Sequence, residues 1–308
     1  MLNKSFQILQ CIFFLAGCLT CYSQVDRTFS LVNSSYDEQN PVISPDGETL
    51  YLTIANHPLN IAGKKDTGDI WISFKREGQW QPPVHGGSVI NDNNYNGVAG
   101  FNQSGDTLFL LSHYNKKGNV ISQGLSFSKR INNTWSAPEN ISIPYFRNQS
   151  SHTDGMISAD GKIFIFSTES YGTLGAEDIS VSILHTNGWS EPINLGNQIN
   201  TSFQELSPTL SSDLKTIYFA SNGLQGFGSF DIYSSERLDD TWHHWSTPKN
   251  LGESINTEGR ELYYRTYGEM RLFTSTRASD GYGDIRQVMN DQPADTIGGC
   301  LHIHHLHE

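Results

Sequence analysis

Five acidic or amide side chains recur at one point of a repeating pattern: Glu38, Asn96, Asp154, Glu205 and Glu261, with His152 beside one of them. Carboxylates converging on one spot could hold a cation, or the cationic group of a ligand. Carboxylates in a shared mouth could also bind or cleave a glycan. A position repeated so regularly has a plainer reading as well: each side chain caps its own turn or bonds the backbone of the adjacent unit.

Other candidates carry the same two readings. Asp69, Asp178, Asp231 and Asp284 each precede an Ile and follow loops such as Gly223-Leu224-Gln225-Gly226-Phe227-Gly228. A phosphate-cradling loop needs a helix behind it, and here a strand pattern follows, so these carboxylates are expected to order their own loops. Trp80, Trp135, Trp189 and Trp245 could stack on sugar rings, but their even spacing favours packing between units. In the tail, His302, His304, His305 and His307 with Cys300 could bind Zn²⁺ or Cu²⁺. Their spacing fits no ligand motif, and residues 291–308 read as a flexible His-rich tail. No nucleophile–base signature is present, and no cofactor is expected.

The elements that must position these groups are short strands. Residues 203–257 read as four of them: Glu205–Leu210, Thr216–Ser221, Phe230–Ser235 and Trp245–Leu251. The unit recurs. Third strands are expected to start at 69, 124, 178, 231 and 284, steps of 55, 54, 53 and 53 residues. Four strands at a fixed period of this size indicate radial repetition. Tight turns such as Ser44-Pro45-Asp46-Gly47 join the first two strands of a unit. Second strands such as Ile163-Phe164-Ile165-Phe166 are apolar on both faces, as sheets sandwiched between neighbours require. The fifth copy lacks its outer strand, and residues 26–33 resemble the end of copy four. The N-terminal strand is therefore expected to complete the last blade, since an open ring would expose apolar faces and strand edges. The fold class is all-β: a five-bladed β-propeller of four-stranded antiparallel blades over 26–290.

Composition agrees. Of 308 residues, 36% are hydrophobic, 11% aromatic and 17% charged, a mixture suited to short strands with polar turns. The formal charge of −12 excludes a nucleic-acid partner, which needs a basic stripe. Residues 1–23 read as a targeting segment, with Lys4 ahead of an apolar run too short to cross a bilayer. Leu15-Ala16-Gly17-Cys18 fits a lipobox that would lipidate Cys18; Cys21-Tyr22-Ser23 fits ordinary cleavage before Gln24. Either route exports the chain, to the periplasm or the outer membrane, with membrane contact only through a lipid anchor. All four cysteines lie in or beside that segment or in the tail, so no disulfide framework is expected.

The units resemble the WD40-like β-propeller repeats of the TolB type, especially those of Bacteroidetes envelope proteins. The matching residues are Ser44-Pro45-Asp46-Gly47, Ile217-Tyr218-Phe219-Ala220-Ser221, Gly226-Phe227-Gly228-Ser229-Phe230-Asp231-Ile232-Tyr233, Trp189-Ser190-Glu191-Pro192-Ile193-Asn194-Leu195-Gly196 and Ile255-Asn256-Thr257. In many such proteins an OmpA-like domain follows; the expectation here is a propeller without one. The resemblance implies a non-catalytic envelope scaffold that binds an envelope protein or a peptidoglycan-associated partner. The alternative is a glycan-binding or glycan-cleaving propeller with carboxylates at the channel mouth. The loops joining second to third strands, at 57–67, 113–117 and 277–282, should share one face, where function is usually carried.

Overall fold

The computed structural model describes residues 28–114, 120–277 and 281–289. Blade 1 is built from Asp37–Ile43, Thr49–Ala55 and Asp69–Arg76, blade 2 from Val98–Phe101, Thr107–Leu110 and Leu125–Ile131. Blades 3 and 4 follow with Asp154–Ile157, Ile163–Thr168, Asp178–His185 and then Glu205–Leu210, Thr216–Ser221, Asp231–Glu236. Glu261–Tyr267, Met270–Ser275 and Asp284–Met289 form blade 5. All pairings within blades are antiparallel and in chain order from the inside out.

The turns between first and second strands share one device. Ser44 Oγ donates to Asp46 Oδ1 and accepts from Thr49 N; Ser158 with Asp160 and Ser211 with Asp213 repeat it. Gly47 and Gly161 take the left-handed conformation that closes such a turn, at φ 77° and 71°.

Each outer strand is broken, not continuous as expected. In blade 1 it is Gln79–Trp80 and Val84–His85, split at Pro82-Pro83, because proline has no N–H to continue a ladder. A serine on each third strand holds the break. Ser73, Ser128, Ser182 and Ser235 donate to the carbonyls of Gln81, Ser136, Ser190 and Ser246, the residue after each tryptophan.

The core lies between blades. Five separate apolar clusters fill the five junctions, and Phe164, Ile165, Ile217 and Phe219 on second strands are wholly buried. The cluster joining blade 5 to blade 1 contains Leu272 and Ile285 with Leu50, Leu52 and Trp71, and the N-terminal Phe29 and Val32 complete it. The ring is closed.

Closure is made by a turn, however, and not by a strand over Thr28–Val32. Asn33 N donates to Phe29 O, as Asn200 N does to Gly196 O and Asn256 N to Gly252 O. The Asn33 side chain then bonds both backbone groups of Ile285, at 2.9 and 2.8 Å. Asn91, Asn200 and Asn256 grip Ile70, Ile179 and Ile232 in the same way. By this alignment a strand matching Lys249–Asn250 falls on residues 26–27, outside the described residues. Among the described residues blade 5 has three strands.

Candidate functional site

The repeated acids do not form a ring in the channel. Glu205 accepts Thr201 N at 2.7 Å, Thr201 Oγ1 at 2.8 Å and Ser221 Oγ at 2.7 Å. Glu261 accepts the same three donors from Thr257 and Ser275, and Glu38 accepts two from Ser34. All three have no exposed surface. Each carboxylate locks the turn that enters its own blade. In blade 2 the pair is inverted: Asp92 occupies the turn position, and its N–H donates to Asn96 Oδ1 at 2.9 Å.

Blade 3 departs from the pattern by one residue. Glu205 pairs with Ser221 and so, through it, with Asp231. The blade 3 residue in that register is Thr153, because Thr168 pairs with Asp178 while Asp154 pairs with Ser167. A one-residue offset in a strand turns the side chain to the other face. Asp154 therefore points at the central axis, and it alone of the five does so.

There it meets groups from other blades. Tyr263 hydroxyl donates to Asp154 Oδ1 at 3.0 Å and lies 3.4 Å from Tyr95 hydroxyl and 3.5 Å from Gln39 Oε1. A bulge in the blade 5 inner strand places Tyr263 at φ 57°, which swings its ring inward. His152 Nε2 lies 3.4 Å from Asp154 Oδ1, and its ring stacks on Tyr95 at 4.2 Å. Burial works against a charged His152, but the carboxylates of Asp154 and Glu177 outweigh it and hold the imidazole above its usual pKa. Burial, with Asp154 beside it, pushes Tyr263 well above the usual phenol range, so Tyr263 donates a hydrogen bond and does not act as a base. Asp154, Tyr263 and Tyr95 are buried, and His152 closes the axis with a third of its side chain exposed. Cleavage of a glycosidic bond uses two carboxylates across the scissile bond. Among the described residues the carboxylate in contact on this axis, Asp154, is already paired with imidazole and phenol, and Glu177 is near enough to act on His152.

Several of the remaining sequence candidates among the described residues fall where the plainer readings put them. Asp178 accepts Leu174 N and Gly175 N, and Asp231 accepts Phe227 N and Gly228 N, so these carboxylates fold the loops ahead of them. Asp69 binds Ile61 N and His85 Nε2, both at 2.7 Å. Trp80 stacks on Phe29, Trp135 bonds Tyr51 and Trp245 is buried. Cys18 and the tail residues Cys300, His302, His304, His305 and His307 lie outside the described residues. Among the described residues no metal-ligating cluster forms, and no helix is long and apolar enough to cross a membrane.

Tyr95, Tyr263 and Gln39 were not singled out from the sequence. Tyr95 sits in a linker that matches those of the later copies, with Gln204 and Arg260 in its place, so only its aromatic side chain sets it apart. Tyr263 had no signal, because its inward turn depends on a bulge.

The described parts of the loops joining second to third strands share a face, as the antiparallel order requires; residues 115–117 and 278–280 of those loops lie outside the described residues. That face carries solvent-exposed apolar residues: Leu59, Tyr171, Leu174, Phe227 and Tyr282 on the loops, and Phe203 on the link entering blade 4. Tyr171 is fully exposed.

No family profile and no curated protein matches the chain. Among solved structures it is similar to TolB from Acinetobacter baumannii, at 12% identity and a TM-score of 0.49, over 85% of this chain and 56% of that one. TolB from Agrobacterium tumefaciens aligns at 16% identity and 0.46, over 82% and 81%. An endo-arabinase from Bacteroides thetaiotaomicron aligns at 12% and 0.50, over 82% and 94%. The chain thus spans just over half the length of the first of these. Identities this low speak to the fold: an all-β, five-bladed propeller whose structural neighbours include TolB-type proteins and a glycan-active enzyme.

Proposed function

We propose that this protein is a non-catalytic cell-envelope scaffold that docks a protein partner on the face carrying the loops between second and third strands. The observation that supports this reading is the set of exposed aromatic and aliphatic side chains there, Tyr171, Phe203 and Phe227 foremost. Interface centres are enriched in such residues. The partner is an envelope protein or a peptidoglycan-associated protein. The N-terminal segment sends the chain out of the cytoplasm, either anchored through Cys18 or free after cleavage before Gln24.

The glycan reading loses its nominated carboxylates, since Glu38, Glu205 and Glu261 are spent on their own turns. Capture from an envelope extract tests the proposal. The wild-type chain should recover one protein, and a Tyr171→Ser, Phe227→Ser variant that melts as the wild type does should recover about tenfold less. Product release from a polysaccharide, lost on Asp154→Asn, would replace scaffold with enzyme.

A further inference from the structure

At the opposite end of the axis from His152, the inner strands of blades 1, 2, 3 and 5 surround a cavity of about 770 Å³. Much of its wall is apolar, with Val42, Ile43, Phe101 and Ile157, while Ser44, Asn102, Gln103 and Gln287 add polar edges. Met156, Met270 and Met289 also line it, and these are all the methionines of the chain after Met1. Methionine is flexible and polarizable, and it concentrates on surfaces that adapt to varied apolar ligands.

Two wall residues are cations: Lys75, whose ammonium lies 5.5 Å from the centre of the Trp80 ring, and Arg265, which is the buried one. Arg265 is 7% exposed and borders the cavity. Its Nη2 donates to Asn40 Oδ1 at 3.1 Å and to Gly155 O at 3.4 Å, both neutral acceptors. Its Nε is buried with no hydrogen-bond partner, and among the described residues Arg265 makes no ion pair. The carboxylate nearest along the axis, Asp154, is engaged by Tyr263 and His152. A guanidinium so buried, with a donor unspent, is costly to leave without an anion.

A second donor stands beside it. Tyr267 lines the same cavity, and its hydroxyl accepts Ile43 N at 2.9 Å. The hydroxyl proton itself has no acceptor among the described residues. Arg265 N–H and Tyr267 O–H together match the two oxygens of a carboxylate, and the volume suits a small-molecule ligand.

We propose that this cavity binds an apolar monocarboxylate of the fatty-acid type, its carboxylate on Arg265 and Tyr267 and its chain against the methionine-lined wall. Titration calorimetry on the full chain with decanoate tests it, with decanol and inorganic phosphate as the comparison ligands. Decanoate is expected to bind at least about tenfold tighter than either. Arg265→Met should abolish the preference for decanoate over decanol, and since it removes a lone buried cation it should not lower the melting temperature. Tyr267→Phe should weaken decanoate several-fold and leave decanol unchanged. Met270→Glu, at the wall, should weaken both. Equal binding of decanoate and decanol, or of decanoate and phosphate, by the wild type would overturn the proposal, as would no binding of decanoate at all.

Discussion

Three glutamates that look alike in sequence differ by one hydrogen bond. Glu205 and Glu261 each receive a serine hydroxyl from the strand alongside, whereas Glu38 pairs with Ile54 at that position. Burial raises the pKa of Glu38 to about 7 against the bonds from Ser34, with Asp284 and Asp37 adding to the rise. A carboxyl raised from 4.5 to about 7 on folding binds more protons folded than unfolded between those values. Its contribution to stability is present below 4.5 and is lost as pH climbs through 7, a change on the order of 3 kcal/mol. The melting temperature should fall from about pH 5 to about pH 8 in the wild type, and Glu38→Gln, which cannot ionise, should flatten that fall. Equal slopes in the two proteins would show that Glu38 does not titrate in this range. The sequence exposed the spacing of these acids but not their direction, which depends on strand register. Asp154 passed as a fifth member because its charge is right, although it sits one residue out of phase.

At the scale of elements, the strands were legible because burial on both faces leaves an unmistakable apolar pattern. Third strands begin at Asp69, Leu125, Asp178, Asp231 and Asp284, within one residue of the expected starts. The break in each outer strand and the turn over Thr28–Val32 were not legible for a common reason: both are held by side chains. A serine hydroxyl spans the proline break, and an asparagine amide stands in for a pair of backbone groups; both recur with the repeat, but a polar residue at that period does not itself say which backbone group it bonds. Loops obey similar local terms. A Cβ on Gly175 would lie 1.8 Å from the carbonyl oxygen of Phe203, which also accepts Ala176 N at 2.9 Å. Gly175→Ala must therefore push the blade 3 loop away from the link bearing Phe203. If these two segments form one docking surface, that variant should bind the partner about tenfold more weakly, with little change in the far-ultraviolet circular dichroism. Unchanged binding would remove Phe203 from the interface.

The whole molecule is a ring whose ends meet at the blade 5–blade 1 junction, and its stability rests on that junction behaving like the other four. The bonds are the same in kind: Asn33 grips Ile285 as Asn200 grips Ile179, and Glu38 N reaches Gly283 O as Glu205 N reaches Glu177 O. The junction differs in exposure, since Asn33 is half-buried while Asn200 is 1% exposed. Removing the amide at Asn200 leaves a buried N–H and C=O unpartnered, a loss of about 2–3 kcal/mol; at Asn33 water recovers part of this, leaving about 1–2 kcal/mol. In a cooperative ring both losses are shared by all five blades. Asn200→Ala and Asn33→Ala should then each unfold in a single calorimetric transition, lowered by about 5 °C and about 3 °C respectively. A separate early transition in Asn33→Ala alone would mean that the seam opens before the ring unfolds, exposing Phe29, Val32, Leu272 and Ile285 together.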